Sequence, residues 1–202
     1  SSAASDVYKR QYMSKAIGMI EFKTVSAGIT AADAMVKTAD VELLEAQTVC
    51  PGKYIALISG SLSAVNAAVE AAGKVREEEL IDSFVLGNPH ESIFPAIYGA
   101  TQIDKISAFG ILETYDAASI IVAADVAAKT AIVDLIELRI AKGMCGKSYL
   151  ILTGEVAAVE AAIEKAKQSV AGNGMYLDSS VIAHPDEQIC RSISVSYTHL
   201  RA

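Results

Sequence analysis

Apolar residues recur along the chain at two spacings, and together these spacings place the secondary structure. The run AIGMIEF at 16–22 is apolar and strand-like, and an Ala-rich stretch over 27–39 repeats every three to four residues, as a helix does. Within that stretch Asp33 and Lys37 stand four apart, the spacing that pairs charges on one helix face. Two apolar runs follow, 41–49 and 54–59, broken by Pro51-Gly52, a turn signal. A second Ala-rich periodic stretch over 61–79 starts at a serine suited to cap a helix, and 80–86 closes the series as a strand. The predicted order is β-α-β-β-α-β.

The same order then repeats. AIGMIEF returns as AFGILET at 108–114, an offset of 92 that also aligns Gly18 with Gly110, Glu21 with Glu113, Asp33 with Asp125 and Lys37 with Lys129. GKYIALISGSLSAVNAAVEAA at 52–72 returns as GKSYLILTGEVAAVEAAIEKA at 146–166, an offset of 94, so the second copy has two more residues in the intervening loop. VLGNPHE at 85–91 returns as VIAHPDE at 181–187. Four strands and two helices per copy predict an α+β fold, an antiparallel sheet with helices on one face. The expected layout is a first domain at 13–98, a linker at 99–106 and a second domain at 107–189. The ends, 1–12 and 190–202, are polar, fall outside the repeat and resemble vector- or adapter-derived sequence, so they are set apart as non-native tails.

Composition narrows the function. With 52% hydrophobic residues, only 6% aromatic and no Trp, the core is built from small aliphatic side chains. A formal net charge of −7 without a Lys/Arg cluster argues against a nucleic-acid partner. No apolar run reaches the roughly 18–20 residues of a membrane span, and the N-terminus lacks the order of a signal peptide, so a cytoplasmic location without a membrane partner is expected. Cys50, Cys145 and Cys190 are an odd, widely spaced set, which suits a reducing compartment better than a disulfide framework. His90 and His184 lack an accompanying ligand pattern, Glu21 and Glu113 read as duplicated structural acids, and no GxGxxG, GxxxxGK[ST] or GxSxG string is present. No enzymatic site is expected.

GMIEF, ADAMVKTADVELL at 32–44, the Gly-Lys loop before the third strand and NPHE at 88–91 resemble the shell domain of bacterial microcompartments, over nearly all of 16–189 and twice. Tandem copies in direct order, with TVCPGKY at 48–54 and HPDE near the end, are most similar to the trimeric, PduT-like branch. The resemblance implies two ferredoxin-like domains per chain and a homotrimeric pseudohexamer with a central pore, packed beside other shell proteins. It maps the pore lining onto Thr48, Val49, Cys50, Pro51 and Gly52 and onto Gly143, Met144, Cys145 and Gly146. It maps lateral shell contacts onto Lys37 and Lys129, with Asn88 and His184 standing where the family carries an arginine. It further implies a [4Fe-4S] cluster, one per trimer, held through Cys50 of three chains, with a redox enzyme of the lumen or cytosol as electron partner; Cys145, near the same pore, is either a supplementary thiolate or, as a free thiol commonly is, inert. On residue chemistry alone Cys50 reads as a small inert thiol. Two other functions stay open: a purely structural tile with a metabolite pore and no cluster, and a small-molecule-binding regulator of ferredoxin-like fold.

Overall fold

The computed structural model describes residues 15–103 and 105–198, with side chains described through residue 193. The predicted non-native segment 1–12 and the last four residues of 190–202 lie outside the described residues. The first copy forms β1 (Ala16–Phe22), α1 (Val25–Thr38), β2 (Val41–Val49), β3 (Lys53–Gly60), α2 (Leu62–Val75) and β4 (Leu80–Leu86). After a short helix α3 (Ile93–Ile97), the second forms β5 (Ala108–Thr114), α4 (Ala117–Thr130), β6 (Asp134–Arg139), β7 (Ser148–Gly154), α5 (Val156–Ala171) and β8 (Tyr176–Ile182), with helix α6 (Glu187–Thr198) beyond. The sheets have the same strand order, β2-β3-β1-β4 and β6-β7-β5-β8, and every pairing is antiparallel.

Both helices of a copy lie on one face of its sheet. Gly18, Ile20 and Phe22 alternate onto the same side of β1, opposite Ile58, Ala56 and Tyr54 of β3. A Cβ on Gly18 would strike Val65 and Val69 of α2, and one on Gly28 of α1 would strike Tyr54, so the two glycines let the helices seat against that side. Alanines complete the layer: Ala27, Ala31, Ala32, Ala68 and Ala72 are buried there with Met35 and Val65. The aligned Gly110 does the same under Val159 and Ile163 of α5. In the first copy the far face is covered as well, since every residue of β1 is buried, Ile17, Met19 and Glu21 included.

Three elements differ from the sequence expectation. The helix predicted over 61–79 starts on its serine, whose Oγ accepts from the N–H of Ala64 at 3.2 Å, but it ends at Val75. Arg76 leaves helical geometry, and Glu77–Glu79 forms one 3₁₀ turn before β4. The connection contains α3, whose apolar residues pack on β6 and α4. Residues from 187 through 198 form α6, so helix continues past the position where the repeat was expected to give way to an irregular tail. Among the described residues the chain divides into two compact units, one made of the residues through 91 with 142–146 and the other of 92–141 with the residues from 147 onward. Among the described residues no helix is long and apolar enough to cross a membrane.

Candidate functional site

The turn between β2 and β3 is built for tightness. Val49 ends β2 with a buried side chain, Lys53 begins β3, and the N–H of Gly52 donates to the carbonyl of Val49 at 3.0 Å. Pro51 occupies the third turn position with a cis peptide bond from Cys50, the arrangement of a type VI turn. Gly52 has φ +95°, and a Cβ there would meet nothing within 4 Å, so backbone conformation rather than crowding favours glycine. The turn presents Cys50 half-buried at its second position, with Thr48, Pro51 and Gly52 exposed.

The turn is tied to the sheet by charge. Lys53 Nζ lies 2.7 Å from Oε1 of Glu21, a carboxylate with only 6% of its side chain exposed. Burial of that carboxylate is compensated by the ammonium one residue beyond the turn, so the pair holds the start of β3 against β1. Spacing along the chain does not predict this pair, because the structural acid Glu21 and the lysine of the Gly-Lys loop, Lys53, are 32 residues apart and meet only through the β1–β3 register.

Residues 142–146, from the longer second-copy loop, belong to the same compact unit as Cys50. A Cβ on Gly146 would lie 3.6 Å from the Cys50 carbonyl oxygen and 3.8 Å from Lys53 Nζ. This loop turns through left-handed backbone at Ala141, Gly143, Cys145 and Gly146, and its entry is pinned by Ser148, whose buried Oγ accepts from the N–H of Ala141 at 2.9 Å. Met144 is half-buried and Cys145 exposed. Lys142 reaches the field of Glu45 on β2: burial pushes the Glu45 carboxyl up, and the Lys142 ammonium partly offsets the rise. At the other root of the loop, burial and then the hydrogen bond to Glu137 push the Tyr149 phenol up to about 12, with Arg139 opposing.

Thus Cys50 comes together with Lys53, Gly146 and the 142–146 loop. Lys37, Lys129, Asn88 and His184 lie outside that cluster. Lys37 pairs with Asp33 at 2.6 Å on an exposed helix face, whereas Lys129 pairs at 2.7 Å with Asp125, whose side chain is only 9% exposed. Asn88 is exposed with φ +52°, and His184 is exposed. Among the described residues, no three His, Cys, Asp or Glu side chains gather in one chain in a way that could hold a metal.

Comparison with known proteins agrees with this duplicated architecture. The BMC domain family model matches residues 16–89 and again 108–185. The bacterial microcompartment shell protein PduT of Citrobacter freundii is 39% identical over 181 residues, covering 90% of this chain and 98% of the relative. The carboxysome shell protein CcmK2 of Synechocystis sp. is 35% identical over 85 residues, 40% of this chain and 82% of that protein. A crystal structure of a microcompartment protein from Desulfitobacterium hafniense superimposes with a TM-score of 0.85 at 46% identity, over 88% of this chain and 99% of that one. The fused permuted hexameric shell protein MSM0275 shares the fold at a TM-score of 0.55 and 20% identity, over 82% of this chain and 89% of that one.

Proposed function

As a member of the BMC-domain family with two copies of the domain in one chain, this protein is a structural shell component of a bacterial microcompartment, and we propose that three copies close into a ring around the Cys50 turns. Six similar domains suit a closed ring, and three duplicated chains supply six. The turns then meet on the threefold axis. In this reading Thr48 to Gly52 and Gly143 to Gly146 line a pore, and Lys37 and Lys129, with Asn88 and His184, face neighbouring shell tiles.

The observation that carries the finer reading is a cysteine in no disulfide, at the second position of a turn flanked by the Lys53–Glu21 pair and the 142–146 loop. A [4Fe-4S] cluster takes thiolate ligands, and one chain offers Cys50 alone at that position. The donor set therefore fits a cluster only in an assembly, where threefold symmetry turns one thiol into three. When bound, such a cluster supplies one-electron transfer, between the lumen and a redox enzyme on either side. The chain's own part is positional: Pro51 and Gly52 set the direction of Cys50, and the Glu21–Lys53 pair holds the arm that carries it. The alternative is a passive tile whose pore admits metabolites.

The first test is chemical analysis of anaerobically reconstituted protein. Cys50→Ser should abolish bound iron, acid-labile sulfide and the paramagnetic signal of the reduced cluster, while light scattering still reports three chains. Cys145→Ala should retain most of the iron. Correctly assembled wild-type rings holding well under about one cluster per three chains would leave the passive tile as the function. A monomer at micromolar concentration that binds a nucleotide in calorimetry would favour the regulator instead.

A further inference from the structure

The two copies differ in which faces they leave bare. In the second unit Ile121 of α4 is 0% exposed and Ala128 9%, and Leu135 of β6 is 0% exposed. At offset 92 their first-copy counterparts on α1 and β2 are Ile29, Val36 and Leu43, which are 53%, 42% and 43% exposed. The same surface, buried in one domain, is open in the other. In the second unit the two elements that carry this surface, β6 and α4, are packed by α3, the segment that follows β4, with Ile93, Phe94 and Ala96 fully buried.

The counterpart of α3 follows β8. At offset 96 Glu91 and Ile93 align with Glu187 and Ile189 of α6, the last residues before the repeat gives way at 190. Ile189 is 49% exposed, and α6 makes no extensive packing with any described helix or strand. An apolar face without its cover and a covering segment without its face therefore occur in the same chain. Within one chain the segment leaving the first copy packs on the second copy, while the segment leaving the second copy has no comparable packing among the described helices and strands. A head-to-tail contact that repeats from chain to chain closes if the rotation closes.

We infer that the segment around Ile189 docks on the α1–β2 face of the first domain of a second copy of this chain, over Ile29, Val36 and Leu43. The inference rests on the ring reading above and adds to it the element that joins one chain to the next. Ile189 precedes the stretch from 190 onward that departs from the repeat, so the contact is centred on a residue inside the duplicated sequence. The face is less apolar than the one it replicates: Ala46 and Thr48 stand for Leu138 and Ile140.

The test is a thiol cross-link with a short bis-maleimide. Cys50, Cys145 and Cys190 are replaced by Ser, and Leu43→Cys and Ile189→Cys are introduced together and separately. The expected result is two- and three-chain bands on a denaturing gel for the double variant, absent from either single variant. Loss of those bands on adding Ile29→Asp, which places a charge in the middle of the face, should accompany weakened assembly. If light scattering shows rings and the double variant yields no inter-chain product, the docking is wrong and the ring stands. An internally linked single chain would show that the segment folds back on its own first domain, which also overturns the inference. If wild-type protein is monomeric at micromolar concentration, the ring reading fails and takes the docking with it.

Discussion

Gly18 and Gly110 occupy aligned positions beneath aligned helices, and each has helix side chains where a Cβ would go, at 2.6 Å for Val65 Cγ1 and 2.7 Å for Ile163 Cγ1. Gly18→Ala and Gly110→Ala should each lower stability by about 1–3 kcal/mol in urea unfolding, the usual penalty of overpacking a filled core. Gly28 shows how the copies diverge without losing volume. Gly28 faces Tyr54 in the first copy, and the aligned positions of the second hold Ile120 and Ser148, all of them buried. A large residue has moved from strand to helix. Ser148→Tyr alone should therefore destabilise strongly, and Ile120→Gly should recover part of the loss, a coupling readable in a double-mutant cycle. Tyr149 supplies a titration. Its phenol is raised to about 12, so folding favours the protonated form: the contribution is intact below the ordinary value near 10 and is lost as pH rises through the raised one. Ultraviolet difference titration of native protein should show a phenolate step near pH 12 that disappears in Tyr149→Phe.

At the scale of elements, the β2–β3 hairpin is held by register, by its turn and by one ion pair. Lys53→Met leaves the Glu21 carboxylate buried without its cation, and a loss of about 2 kcal/mol is expected, below the value for a fully buried pair because the Lys53 side chain is 29% exposed. Glu21→Leu with Lys53→Met should recover most of it, as two apolar groups replace two charges together. If the double variant is as unstable as the single, the pair is not what anchors the arm. Elements were legible where pattern and termination agreed. β1, β2 and β4 lie at 16–22, 41–49 and 80–86 as read, because apolar runs there end on turn chemistry. Helix α2 ends four residues before the predicted 79: Glu77 to Glu79 are good helix formers by themselves, yet the chain leaves helical geometry at Arg76 and takes a 3₁₀ turn into β4.

For the whole molecule, the ring predicts three chains by light scattering at micromolar concentration, with a large apolar interface. The shell role makes a separate prediction for the rim. Lys37→Asp with Lys129→Asp should leave rings intact and abolish extended sheets in electron microscopy. The two lysines are not equal in this respect. Asp33 is exposed, so Lys37→Asp should hardly alter stability, whereas Lys129→Asp sets a second carboxylate beside the buried Asp125 and should lower the melting temperature measurably. Loss of the ring itself in the Lys37 variant would place that lysine in an interface inside the ring.

The duplication, the α+β class, the element order β-α-β-β-α-β and the turn carrying Cys50 were all determined by the sequence alone. These depend on local spacing and on self-similarity, which survive in one dimension. The tertiary structure alone decided which charges pair across the sheet, which face each copy leaves open and where the second-copy loop lies. Glu21 finds Lys53 across a sheet, and Gly146 reaches Cys50 from 96 residues away in the chain. Ile29 and Ile121 look alike in the aligned sequence, yet one is open and the other buried, because burial is set by what arrives from elsewhere in the chain. The helix that carries Ile121 is packed by α3, an element that the pattern of apolar residues did not reveal.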